Sequence, residues 1–329
     1  MLRTLKRNRY GLLSLVVSIG LVFVKFYAWS LTHSQAVLTD ALESIINVFT
    51  SGFALYSLYL SGLPKDRNHP YGHGKIEYLS VGFEGALILG AGVYIFYSAV
   101  QALLAPHAVQ RPDWGIWLLA STAVINLLVG FVLVREGRQL HSPALVGDGQ
   151  HLYLDAVSTL VSCAALVLVA LTGNVLFDTG AALILGLFIV VNGFRMVRRS
   201  VSGLMDESDV DTVKQVIGEL QQHRQPPWID VHNLRIVRYG ADLHIDCHIT
   251  MPYYFSLDES HTEVTRIEEL VRSRFEVEVE MFVHADPCTF AACPSCTMPE
   301  CPVRHHAFTR LIPWTLENVV KNERHQLEV

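Results

Sequence analysis

Charge is what this sequence has least of. Only 17% of its 329 residues are Asp, Glu, Lys or Arg, while 51% are apolar. A typical soluble domain carries about 25% charge. That shortage excludes an intrinsically disordered chain, a collagen-like fibre and a coiled coil. Net positive charge is missing too. A formal charge of −6 gives no basic footprint for general nucleic-acid binding, so nucleic acid is not an expected partner. The sequence has no His-Glu-x-x-His helix and no nucleophile–base arrangement, so it reads as a non-enzyme. The basic N-terminal segment (Arg3, Lys6, Arg7, Arg9) is not followed by a clear small-residue cleavage site. The apolar stretch behind it is long and leads at once into a second, so it reads as a retained helix rather than a signal peptide. Against these shortages stand fifteen His residues, an unusual number in so apolar a chain.

The charges are unevenly divided. Residues 1–200 hold 14 Lys/Arg and 10 Asp/Glu, whereas residues 201–329 hold 11 and 21. An apolar, slightly basic region is therefore followed by an acidic one. The first contains six stretches of the roughly 20 residues needed to cross a bilayer: residues 11–31, 36–60, 78–104, 116–134, 145–171 and 175–196. Near the span ends, twelve basic residues fall on one side and only Arg111 on the other. The positive-inside rule then places both termini in the cytoplasm, with the plasma (inner) membrane as the expected location. Five of the six Cys follow residue 246, on the reducing side in this topology, so disulfides are not expected there.

Ionisable groups inside a span are expensive and are functional hypotheses by default. The second span carries Asp40, Glu43 and Asn47; the fifth carries Asp148, His151 and Asp155. Residues four apart share a helix face, which pairs Glu43 with Asn47 and His151 with Asp155. The two helices run antiparallel, and each pair lies about 15 Å along its helix, near the middle of a core of about 30 Å. The four groups suit a tetrahedral divalent cation such as Zn²⁺, and two carboxylates balance its charge. The plainer alternative is hydrogen bonding between helices; matched spacing on both spans favours the metal. Lys25 and Glu84 each stand alone in their spans and read equally well as an ion pair or a packing feature.

After the second span the sequence reads Lys65-Asp66-Arg67-Asn68-His69-Pro70-Tyr71-Gly72-His73-Gly74-Lys75. Asp66, His69 and His73 offer O and N ligands for a second ion, and Pro70, Gly72 and Gly74 allow the loop to fold back on itself. A solvated loop with incidental His is the alternative.

Beyond residue 200, helical spacing of Val210, Val213, Val216, Ile217 and Leu220 predicts a helix over 209–222. Alternating residues predict strands over 233–239 and 242–251, with a turn at Gly240-Ala241. Leu243, Ile245, Cys247 and Ile249 point inward, and His244, Asp246, His248 and Thr250 outward. Ser256 and Glu259 form a capping box for a helix to about residue 275, and a last strand covers 277–283. The order α-β-β-α-β makes a small two-layer α/β domain. Its ligand-type residues are His232, His248, His261, His284 and Asp286, on separate elements. Beyond it, Cys288-x4-Cys293-x2-Cys296-x4-Cys301 is followed by His305 and His306. Four such Cys can bind Zn²⁺ as thiolates; a redox-sensitive or inert tail is the alternative.

Six spans with a cytoplasmic domain, polar pairs in spans two and five and the His-Pro-Tyr-Gly-His-Gly-Lys loop together resemble the cation diffusion facilitator family of metal-ion/proton antiporters. The resemblance covers residues 10–290. It implies a membrane α-helical bundle of six transmembrane helices over 1–200, a small cytoplasmic α/β domain for metal binding and dimerisation over 201–290, and a tail over 291–329 outside the common core. His151 and Asp155 then match the family's His-x3-Asp pair. Glu43 and Asn47 fall where the family has Asp or His, then Asp. That departure leaves Asp40, one turn earlier, as a substitute for Asn47. Asp66, His69 and His73 match the loop metal site. His232, His248, His284 and Asp286 match a cytoplasmic two-metal site with His261 as a bridging residue, while His244 has no match. The implied activity is efflux of a divalent metal ion, by default Zn²⁺, coupled to protons and working as a homodimer in the lipid bilayer. Metal is both substrate and regulatory ligand, and no organic cofactor is implied. The competing reading is a membrane-anchored cytoplasmic metal sensor or buffer without transport.

Overall fold

A computed structural model describes residues 2–32, 35–104, 113–174 and 176–327; the side chains of Asp40 and Glu43, within the second helix, lie outside the described residues. The chain divides into two compact units, Met1–Met205 and Asp206–Val329.

Among the described residues the first unit is built of six long helices: α1 (Leu2–Thr32), α2 (Gln35–Ser61), α3 (Ile76–Leu104), α4 (Asp113–Gln139), α5 (Pro143–Thr172) and α6 (Leu176–Leu204). At 1.5 Å per residue the shortest extends about 40 Å, more than a bilayer core. Within α1, α3, α4 and α6 lie segments both long and apolar enough to cross a membrane. The other two, α2 and α5, are of similar length and are the helices that carry Asp40, Glu43, Asn47, Asp148, His151 and Asp155. Burial is inverted relative to a water-soluble bundle. Phe23, Phe49, Trp117, Leu171 and Ile184 are largely exposed, whereas Ser14, Ser51, Thr50 and Glu84 are fully buried. Lipid on the outside and hydrogen bonds within account for that pattern.

The closest helix pairs are α1 with α2, α3 with α6 and α4 with α5. Small residues make the last pair possible. A Cβ added to Gly149 would lie 2.8 Å from Val134 N, and one on Gly130 would lie 2.8 Å from Gly149 O. The two backbones therefore touch, which brings Asn126, one turn before Gly130, against α5. A buried polar cluster ties four helices together around Glu77. This carboxylate accepts from Ser61 Oγ (2.8 Å) and Ser142 Oγ (2.5 Å) and pairs with Arg7 at 2.7 Å.

In the second unit α7 (Val210–Gln222) begins at Asp209, whose carboxylate accepts from Asp211 and Thr212 N–H, a standard N-cap. Next come β1 (Asp230–Tyr239), β2 (Asp242–Met251), α8 (Leu257–Arg272) behind its Ser256–Glu259 capping box, and β3 (Val279–Pro287). The sheet order is β1-β2-β3, with β1 antiparallel and β3 parallel to β2. Val216, Leu220, Trp228, Ile236, Ile245 and Ile249 form the centre of the core. Two strands differ from the sequence expectation. β1 starts at 230 because Asp230–His232 pair with Thr250–His248, and the register then slips between His232 and Arg235 at a bulge. Asn233 takes φ +53 there, a conformation Asn tolerates well. β3 runs on to Pro287 because parallel pairing continues to Met251. Thr250, expected to face outward, is buried. Residues past 290 close back on the same body: a 3₁₀ helix covers Phe290–Ser295, and Trp314 and Val319 enter the core.

The α4–α5 seam predicts a sharp position dependence. Gly149→Val should lower the thermal stability of the detergent-purified protein, whereas Gly20→Ala, with nothing within 4 Å of its Cβ, should leave it unchanged. Equal melting temperatures for the two variants, measured by fluorescence-detected size exclusion after heating, would remove the close-contact argument.

Candidate metal sites

Within the bundle, α2 and α5 meet through a polar contact: His151 Nε2 lies 2.7 Å from Asn47 Oδ1. Both side chains are buried. With Nε2 protonated, the imidazole donates to the amide oxygen; a metal bound to those two atoms takes the place of that proton. One turn on, Asp155 is held from two other helices. Asn126 Nδ2 on α4 donates to Asp155 Oδ2 at 2.5 Å, and Lys25 Nζ on α1 lies 3.6 Å from the same oxygen. Asp148, one turn before His151, accepts from Ser51 Oγ at 2.8 Å. Asn47, His151 and Asp155 are thus all buried, the last two one turn apart on α5. Asp40 and Glu43 belong to α2, but their side chains lie outside the described residues.

Lys25 is not alone: it is the cation beside Asp155, and it is only 1% exposed. Glu84 packs against α5, its Oε2 2.9 Å from the position a Cβ on Gly147 would take. Among the described residues neither of its oxygens has a hydrogen-bond partner. Asn126 escaped the sequence reading. The available signal was a single amide in the otherwise apolar run Val124-Ile125-Asn126-Leu127-Leu128.

The loop between α2 and α3 brings Asp66, His69 and His73 together, with one ligand atom from each lying within 4.8 Å of the others. Gly72, at φ +88, makes the bend. Asp66 Oδ1 accepts from the backbone N–H of His69 (2.7 Å) and Asn68 (2.9 Å), and His69 Nδ1 lies 3.1 Å away. The His69 N–H above all holds the Asp66 carboxyl below its ordinary range. His73 Nε2 is 3.5 Å from Asp66 Oδ2, and the two imidazole centroids lie 4.3 Å apart with the rings tilted. The arrangement presents two ring nitrogens and a carboxylate to one point.

The sheet makes the third group. His232 pairs with His248 across β1 and β2, and His248 with His284 across β2 and β3. Three imidazoles therefore cross the sheet in a row, with Asp286 next to them. Asp286 Oδ2 is 3.4 Å from His232 Nε2 and 3.1 Å from His248 Nδ1. These three residues bring one ligand atom each within 4.8 Å of one another. His284, more exposed, lies with its ring tilted 4.7 Å from that of His248 and reaches Asp286 Oδ1 at 3.6 Å. His261 is exposed on α8, outside this group. His244 sits two rows along, between Asp246 and Glu280.

Sequence reading also missed the groups behind this site. Asp230 stands 3.3 Å from His232 Nδ1 and 2.6 Å from His325 Nδ1, and Arg324 pairs with Asp286 at 3.0 Å. Burial opposes ionisation of Asp230, yet hydrogen bonds from His232 and His325 outweigh it and hold the carboxyl at about 2. Burial likewise works against Asp286, but His248 and Arg324 keep it below its usual value. His325 is raised, chiefly by its hydrogen bond to Asp230. The tail thus braces His232 and Asp286 from behind, the place that outer carboxylates take behind metal-bound His. Cys288, Cys293, Cys296 and Cys301 are free and line one cavity beside Tyr253.

Comparison with known proteins follows the same division. Residues 11–205 match the cation efflux transmembrane domain and residues 205–288 the cytoplasmic domain of cation efflux proteins. An uncharacterised transporter of Synechocystis is 32% identical over 265 residues, which is 80% of this chain and 86% of the relative. The cation-efflux pump FieF of Cronobacter sakazakii is 27% identical, covering 86% of this chain and 93% of its own. The pump of the same name from Yersinia pestis is 29% identical over 82% and 89%.

The Asp230–His325 clasp has a defined pH signature. Asp230 stays ionised through neutral pH, while the raised pKa of His325 makes its contribution complete below about pH 6.5, the unfolded value, and lost as pH rises through the folded value. His325→Gln should therefore reduce the melting temperature more at about pH 6 than at about pH 8.5. An equal reduction at both pH values would mean the clasp is not ionic.

Proposed function

The chain belongs to the cation diffusion facilitator family, cation-efflux transporters rather than enzymes, and on that footing we propose that it exports a divalent transition metal, Zn²⁺ first, in exchange for protons. The observation that carries this reading is the buried contact of Asn47 with His151, one turn from Asp155. Glu43, His151 and Asp155, with Asn47 or Asp40 as the fourth group, supply the mixed oxygen and nitrogen donors that Zn²⁺ accepts.

Binding needs neutral imidazole and ionised carboxylates, so loading the ion releases protons and acid on the far side expels it. The ammonium of Lys25 stands beside Asp155. An arriving dication competes with it for the same carboxylate, so Lys25 sets a threshold that only a well-coordinated ion overcomes. Asn126 keeps Asp155 turned toward the site. Alternating access then presents the site to each side of the membrane in turn.

The basic residues flanking the spans support cytoplasmic termini, with the second unit and the Asp66–His69–His73 loop on the metal-supplying side. There Asp66, His69 and His73 form a loading site. His232, His248, His284 and Asp286, with His261 from a separate surface, form the regulatory set in a homodimer whose balance of inward and outward states shifts with metal. Regulation of this kind requires different metal affinities in the two states.

The test is zinc uptake into proteoliposomes. Asp155→Ala and His151→Ala should reduce it to background. Asn126→Ala should retain transport with an apparent affinity about 10- to 100-fold weaker, the usual effect of losing a group that orients a ligand. Uptake by Asp155→Ala at the unmodified rate would contradict the proposed route.

A further inference from the structure

The four Cys of the C-terminal extension are not used by the transport site, and three of them lie past residue 288, where the match to the family's cytoplasmic domain ends. We infer that Cys288, Cys293, Cys296 and Cys301 form a thiolate site for one divalent transition-metal ion, Zn²⁺ above all, distinct from the His232–His248–Asp286 group.

The geometry brings the four together from separate pieces of chain. Cys288 directly follows β3 and is fixed by its N–H donating to Met251 O at 2.8 Å. Cys293 belongs to the 3₁₀ helix, and Cys296 ends it with an N–H to Cys293 O. Cys301 follows Glu300, which takes φ +49, an uncommon conformation for a non-glycine residue that turns the chain back toward the other three. All four line one cavity of about 20 Å³, room for about one water-sized occupant. The thiols surround this space more widely than the two His–Asp groups, whose ligand atoms already lie within 4.8 Å of one another. A metal would draw them inward.

The surroundings suit a doubly charged ion held by thiolates. Four thiolates around one dication leave an excess of negative charge, and two guanidiniums stand close by. Arg304 donates to the carbonyls of Cys293 (3.2 Å), Cys296 (3.2 Å) and Met298 (2.7 Å), bracing the loop that carries the ligands. Arg224, lowered to about 10 mainly by burial, interacts with Cys296 as well as Asp230. The four sulfurs share one electrostatic environment. Binding of a dication displaces the thiol protons, which pass to solvent.

The stretch that carries these Cys packs through a small cluster. Its own core is Ile229, Ala292 and Cys296, with Cys288 and Met298 partly buried. A structural zinc supplies folding free energy in just such thin segments. Asp286 and Cys288 sit two residues apart on one strand end, so metal at the thiols would also steady the His–Asp group.

The test uses the full chain purified in detergent with Co²⁺ and Zn²⁺ as probes. Co²⁺ should give the sulfur-to-cobalt charge-transfer absorption. It should disappear in Cys296→Ser/Cys301→Ser and persist in His248→Ala. Zn²⁺ should slow alkylation of the four thiols by about tenfold or more, because thiolates withdrawn into metal bonds no longer attack. That protection is read on the unmodified protein, so it holds even if the double variant fails to fold. Absence of the absorption with alkylation unaffected by Zn²⁺, or recovery of these Cys as disulfides from a reducing preparation, would overturn the inference. Neither result depends on whether the protein transports zinc.

Discussion

A carboxylate that is to stay ionised inside an apolar helix bundle must find a positive or donating partner, because desolvation of the charge without one is prohibitive. Asp155 is where the membrane unit meets that demand: α5 supplies the charge, α1 the ammonium of Lys25 and α4 the amide of Asn126. Three helices are fixed relative to one another by one side chain. Glu77 repeats the device with Arg7, Ser61 and Ser142 from three other elements. The glycine seam between α4 and α5 follows from the same need, since Asn126 reaches Asp155 only if the backbones touch. A metal site built on such a carboxylate is held by groups that cannot relax into water. A sensor anchored by inert spans would have no use for that cost.

What was legible in the sequence divides along the range of the interactions. Apolar runs and a local i, i+4 rule sufficed to find the long helices and to put His151 and Asp155 on one face. A bend at Gly72 and a spacing of three and four sufficed for Asp66, His69 and His73. Each of those depends on neighbours in the chain. The partners of Asp155 do not: Lys25 is 130 residues away in sequence, and neither it nor Asn126 carries a local pattern that names its target. The imidazole row across the sheet was equally hidden. It depends on a bulge after His232 and on parallel pairing of β3, two long-range registers that alternation alone does not fix. His261, drawn in by family resemblance, stands apart on α8. Asp230, Arg324 and His325 were passed over because nothing local marks a residue that supports a ligand from behind.

The second unit shows how a late segment of chain can serve an earlier one. Arg324 and His325 return from the far end to grip Asp286 and Asp230, the two carboxylates that flank His232. Trp314, buried in the core, lies under the Arg224 guanidinium at 4.0 Å. Order in the extension is therefore coupled to the geometry of the His–Asp group through the sheet edge.

The central claim, metal export through the Asn47–His151–Asp155 group in exchange for protons, is tested most directly by proton movement. Proteoliposomes loaded with a pH-sensitive dye and challenged with Zn²⁺ should show protons moving opposite to the metal, and Asp155→Asn should abolish both fluxes together. Zinc entry with no proton movement, or proton movement indifferent to Asp155, would contradict the account.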